Sequence, residues 1–169
     1  MILERFTKQL AGNAQCIRAL TRDITDLQAH WKPDENSWSV VEVINHLYDE
    51  ERLDFRVRIE YTLDKVGEEW PAIDPEGWVQ EHSYSERELR VSLADLHAER
   101  QASLAWLEGL PNPDWELSYQ APFGAIKAGD VLAAWVAHDL LHTRQIVELH
   151  WAYMLEQVQP YSVRYAGEW

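Results

Sequence analysis

Four stretches of this chain repeat apolar residues at three- and four-residue steps, a period that admits packed helices and little else. In the first, Ile2, Phe6, Leu10, Ile17, Leu20, Ile24 and Leu27 mark one face. Lys32-Pro33 lies beyond its end, because proline disfavours helix in the residue before it. The second opens at Ser39, where Ser39 and Glu42 have the spacing of a capping box. Val40, Val43, Ile44, Leu47, Phe55 and Ile59 form its apolar face, and it is expected to run to Val66. Asp49, Glu51, Arg52, Arg56 and Arg58 are expected on its other faces or edges. The third opens at a second capping box, Ser85 to Glu88, carries Leu89, Leu93, Leu96, Leu104 and Leu107, and closes at Gly109 and Pro111. The fourth starts near Asp130 as N-cap. Val131, Trp135, His138, Leu141, His142, Ile146 and Leu149 mark its inner face as far as Leu155 or Glu156.

The expected fold is all-α, a four-helix bundle in one domain spanning residues 1–169. Nine tryptophans supply large apolar surfaces to such a core. The links are long. Residues 67–84 read as a loop bearing Trp70 and Trp78, and residues 109–129 allow a short extended stretch near Trp115 to Tyr119, with no sheet expected. Links of that length can cross the bundle end, so helix order stays open at this level.

Charge removes some functions. A net charge of −14 repels a phosphate backbone and an anionic membrane, so nucleic acid and membrane are excluded as partners. No stretch approaches a membrane span, and MILERFTKQL lacks the apolar run of a secretory signal. Cys16 is the one cysteine, which fits a reducing compartment; the cytoplasm is the expected location and a small packing role the expected use of Cys16.

The chemistry points to histidine. His138 and His142, four apart on the fourth helix, share a face and can address one ion. Imidazole nitrogen suits zinc, nickel, copper or iron. By itself the pair is a weak signal, more often two core histidines than a metal site, and neither the glutamate of a zincin motif nor a di-iron E-x-x-H accompanies it. His46, at the edge of the second helix's buried face, adds a third inward imidazole. Three nitrogens leave a coordination position for water or substrate. Glu50 follows one turn later as a fourth ligand, an outer hydrogen-bond partner, a general base, or a solvated carboxylate. His30, His82, His97 and His150 have no such spacing and read as surface or packing residues.

Two segments carry a resemblance. Trp38-Ser39-Val40-Val41-Glu42-Val43-Ile44-Asn45-His46-Leu47, with Glu51-Arg52, resembles the second-helix signature of DinB-like (DinB/YfiT) proteins. Ala137-His138-Asp139-Leu140-Leu141-His142-Thr143-Arg144-Gln145-Ile146 resembles the last-helix signature of the same superfamily. The resemblance implies an up-down-down-up bundle, a divalent metal (zinc or nickel, with iron or manganese as alternatives) on His46, His138 and His142, and a homodimer. It also implies a small-molecule substrate and, as in some members, transfer of a low-molecular-weight thiol such as bacillithiol or mycothiol. A metal-dependent hydrolase and a non-enzymatic, stress-associated binding bundle are the competing expectations. The aromatic C-terminal segment, Tyr161 to Trp169, is expected to cover the bundle end or shape the pocket mouth.

Overall fold

The computed structural model describes residues 2–167. In chain order the helices are α1 (Ile2–Thr21), α2 (Asp26–His30), α3 (Val40–Asp49), α4 (Arg56–Asp64), α5 (Pro75–Glu81), α6 (Leu89–Gly109) and α7 (Ala128–Gln157). Strands β1 (Ser118–Ala121) and β2 (Gly124–Lys127) form an antiparallel hairpin between α6 and α7. The link read as merely extended is thus a two-stranded ribbon, turned at Gly124 with φ of 134°, a value that favours glycine.

Helix direction follows from which ends pack together. One apolar cluster joins Leu10 of α1, Ile59 of α4, Leu107 late in α6, and Val131 and Trp135 early in α7. The other joins Ile17 of α1, Val40 and Ile44 at the start of α3, Leu89 and Leu96 at the start of α6, and Ile146 and Leu149 late in α7. So α1 and α7 run one way, and α3–α4 and α6 run the other. That is up-down-down-up. Both α1 and α3 pack against α6 and α7, which sets α1 and α3 across a diagonal. Between the two clusters lies a waist where the buried charges gather.

Local chemistry explains most helix starts. Ser39 Oγ accepts from Glu42 N–H at 3.4 Å, and the Glu42 carboxylate accepts from Ser39 N–H at 2.7 Å, the reciprocal pair expected of this cap. The box expected at Ser85 does not form: Ser85 sits in a 3₁₀ turn, and α6 begins at Leu89 with no side-chain cap. Asp130 is not an N-cap either. The helix starts two residues earlier, and the Asp130 carboxylate accepts from Lys127 N–H at 3.0 Å from the third helical position. The first long segment breaks after Thr21, and α2 restarts under a Thr25 cap. Residues read as one loop contain α5, capped by Asp74 and anchored by buried Trp78.

The second long helix is interrupted. Glu50–Phe55 form a π-helical turn between α3 and α4, a local widening often found at functional sites. It turns Glu50, Glu51 and Asp54 inward with Phe55. Asp49 and Glu51 are therefore buried rather than at the edges.

Three further expectations are corrected. Cys16 is exposed, not packed inside. Leu141 is 55% exposed and points away from the inner face of α7. Tyr161 and Tyr165 are also exposed and do not cover the bundle end; Glu168 and Trp169 lie outside the described residues.

Candidate metal centre

The Ser39 cap fixes where α3 begins, and His46 falls two turns in, facing α7. There His138 and His142 stand one turn apart. Their nitrogens converge: His46 Nε2 is 3.3 Å from His138 Nε2, and His142 Nε2 is 3.1 Å from His138 Nε2. Nitrogens bound tetrahedrally to one ion at about 2.05 Å stand about 3.3 Å apart, so the spacing fits a shared ion. Among the described residues these three side chains form the one converging donor set, with no carboxylate joining it.

Electrostatics agree with that fit. Burial, then the neighbouring His142, depresses His46 to about 3. Burial, with both partner histidines, depresses His138 to about 3. Burial also lowers His142, against a hydrogen bond from its own side. The rings are therefore neutral near pH 7 and offer lone pairs. In His142 the choice of nitrogen is fixed: Nδ1–H donates to Gln145 Oε1 at 2.7 Å, which leaves Nε2 as the donor atom. Three lone pairs facing one another repel unless a cation lies among them. These residues could hold a metal ion.

Aromatic rings wall the centre. Trp38 leans on His46 with centroids 4.8 Å apart and lies parallel to His142 at 6.4 Å. Phe55 lies 5.1 Å from His138 and stacks on Trp135 at 5.8 Å. A cavity of about 520 Å³ passes His142, bounded by Trp38, Pro33 and Leu149, with Gln145 and Glu148 as polar lining.

A family model for the DinB superfamily matches residues 9–146. The chain belongs to the DinB superfamily. YfiT from Bacillus subtilis, described as a probable metal-dependent hydrolase with an unusual four-helix bundle topology, is a DinB-family structural neighbour. It superposes with a TM-score of 0.76 at 20% identity, over 87% of this chain and 85% of that one. The DinB chain here therefore shares that bundle topology. No curated protein sequence matches it.

The carboxylates near this DinB centre are all engaged. Arg100, 1% exposed, reaches Glu51 through Nε at 2.8 and 2.9 Å and Asp139 through both terminal nitrogens at 2.8 and 2.9 Å. Its Nη1 also donates to Leu10 O at 2.7 Å. One guanidinium thus ties α1, the π turn, α6 and α7 together beside His138. Burial raises Glu51 in spite of that partner. Asp49 accepts from His82 Nδ1 and Tyr84 O–H, both at 2.6 Å, and from Arg52 Nε at 2.9 Å. Burial and Asp49 push the Tyr84 hydroxyl pKa up.

Glu50 is buried and does not join the histidine cluster. It pairs with Asp54, itself paired with Arg58. Burial, then the Asp54 charge, raises Glu50 to about 8, and burial raises Asp54 too. Two adjacent carboxyls of this kind share a proton near neutral pH.

Sequence reasoning missed two of these features. Gln145 stands three residues after His142, a same-face spacing that could have marked it. Arg100 follows Leu96 by four on the apolar stripe of α6, and a charge on such a stripe is itself a signal. Three of the remaining histidines are structural here, and His97 lines a separate cavity. His150 joins Leu20 O and Gln28, His30 lies between the carbonyls of Asp26 and Arg87, and His82 clamps onto Asp49.

Proposed function

We propose that this chain is a divalent-metal enzyme, with the ion on His46, His138 and His142, that transfers a low-molecular-weight thiol to an electrophilic small molecule. The supporting observation is three neutral Nε2 donors converging with no fourth protein donor among the described residues. A structural zinc is normally closed by four protein ligands, whereas three leave room for a reactant. A zinc, nickel, iron or manganese ion held by His46, His138 and His142 would supply Lewis acidity, lowering the pKa of a thiol or of water.

The protein's own part is orientation and exclusion. Gln145 fixes the His142 tautomer. Trp38 and Phe55 pack on the rings and keep water from their flanks. Asp49, Glu51 and Asp139 are committed to other partners, so none is free as a general base at the triad. A thiol reaction does not require such a base, which favours the thiol over water.

One observation favours a second reading, hydrolysis. The proton-sharing pair of Glu50 and Asp54 lies a turn beyond His46 and could serve as a proton reservoir for water attack. The description of YfiT points the same way. In either reading the protein works as a homodimer. Leu140 and Leu141, over half exposed beside exposed Ala133, Ala134 and Ala137, give α7 an apolar outer stripe for a second copy to cover.

The test is elemental analysis of untagged protein beside His138→Ala, followed by turnover with and without thiols. One equivalent of metal, lost in the variant, with thiol-dependent turnover supports transfer. Turnover independent of thiol supports hydrolysis. Absence of metal after supplementation at a pH where histidine is neutral refutes both.

A further inference from the structure

A cavity of about 690 Å³ lies away from His46, His138 and His142, between α1 and the start of α6. That volume falls in the range of small-molecule sites. Its floor is apolar: Ile17 and Ile24 from one side, Leu89, Leu93 and Leu96 from the other. Its rim carries Arg18, Arg22 and Arg90.

Two of those arginines, Arg18 and Arg90, are unusual in this protein. Acidic residues outnumber Lys and Arg by 29 to 15, so cations seldom lack a partner. Lys8, Lys32, Arg52, Arg56 and Lys127 illustrate the rule, each ion-paired. Among the described residues, Arg5, Arg18, Arg90 and Arg164 have no acidic partner within 4.0 Å. Two of these four line this one cavity. Arg22 is held by Asp23 at 2.9 Å. The rim also carries two carboxylates, Asp26 and Glu88, as counter-charges.

We propose that this cavity binds a free aliphatic carboxylate of medium chain length. The carboxylate would take Arg18 and Arg90, whose guanidiniums suit its planar geometry. The alkyl chain would lie on Leu93, Leu96 and Ile17, burying apolar surface on both sides. A neutral or cationic ligand would leave both guanidiniums unpaired. The site is independent of the metal reading and shares none of its ligands.

The probe is sodium decanoate, titrated by calorimetry into the full chain, with decanol as the uncharged control. Saturable one-to-one binding is expected for decanoate and not for decanol. Arg18→Gln/Arg90→Gln should weaken it roughly tenfold or more, the loss of charge-assisted hydrogen bonds. Glu88→Gln should tighten it by removing an opposing charge. His142→Ala should bind unchanged. Both arginines are exposed, so the double variant should keep the parent melting temperature. Leu93→Trp, which fills the cavity, should block binding. No saturable heat, equal binding of decanol, or unchanged affinity in the arginine double variant would overturn the proposal. So would loss of binding in His142→Ala, which would place the ligand at the metal centre.

Discussion

Replacing Arg100 with methionine removes one buried cation and strands three acceptors. Glu51 and Asp139 lose their hydrogen-bonded partner and Leu10 loses a donor to its carbonyl. Methionine keeps the helix propensity and much of the volume, so the change is chiefly electrostatic. Breaking a buried ion pair from one side costs about 3–5 kcal/mol. For a domain of this length each kcal/mol shifts Tm by about 2–4 °C, so the expected fall is roughly 6–20 °C. The sign with pH is also fixed. Without Arg100 the buried carboxyls have folded-state pKa values raised above their unfolded ones. Their contribution is then fully present in acid and lost as pH rises through the folded values. The deficit against wild type should therefore be greatest above neutrality and shrink as pH falls toward 5. Thermal and urea unfolding, followed by tryptophan fluorescence across that pH range, read both effects. Adding Glu51→Met and Asp139→Leu should recover most of the loss, since no unpaired charge remains. A fall in Tm of less than about 2 °C, or a deficit indifferent to pH, would refute the reasoning.

Gln145→Leu should weaken metal binding by about 10–100-fold while leaving the metal-free melting temperature nearly unchanged; chelator competition measures it, and an unchanged affinity would remove Gln145 from the centre. Glu50 is raised from about 4.5 to about 8, so its contribution to stability is complete below the lower value and is lost as pH rises to the upper one. Glu50→Gln should flatten that decline, and Tm profiles parallel to wild type would count against it. Ser39→Ala should cost about 1 kcal/mol through loss of the cap at the head of α3, measured by urea midpoint at constant slope.

What the sequence disclosed depended on how local the physics was. The Ser39–Glu42 cap was legible because both partners lie within one turn. The histidine pair on α7 was legible for the same reason, and His46 because it sits beside an apolar stripe. Ser85–Glu88 has the same letters as a working cap, but the chain is still turning through Tyr84–Glu86, and Arg87 O is taken by His30. That competition comes from a distant helix and leaves no local mark. The π turn was invisible to an apolar period because the residues it buries are Glu50, Glu51 and Asp54. Their partners, Arg58 and Arg100, restore charge balance only once the helices meet. The hairpin was missed because four-residue strands are too short to display alternation.

The charged waist between the two apolar clusters also limits which sequences this bundle can tolerate. Leucine-like contacts recur at every turn, so a helix displaced by one turn would find nearly equivalent greasy neighbours. Arg100 would not: from α6 it reaches acceptors on three other segments at a single height. The waist therefore acts as an index notch, admitting one alignment among several that oil alone would accept. Variation should accumulate freely among the aliphatic positions above and below it, while a change at Arg100, Glu51 or Asp139 would require its partners to change together.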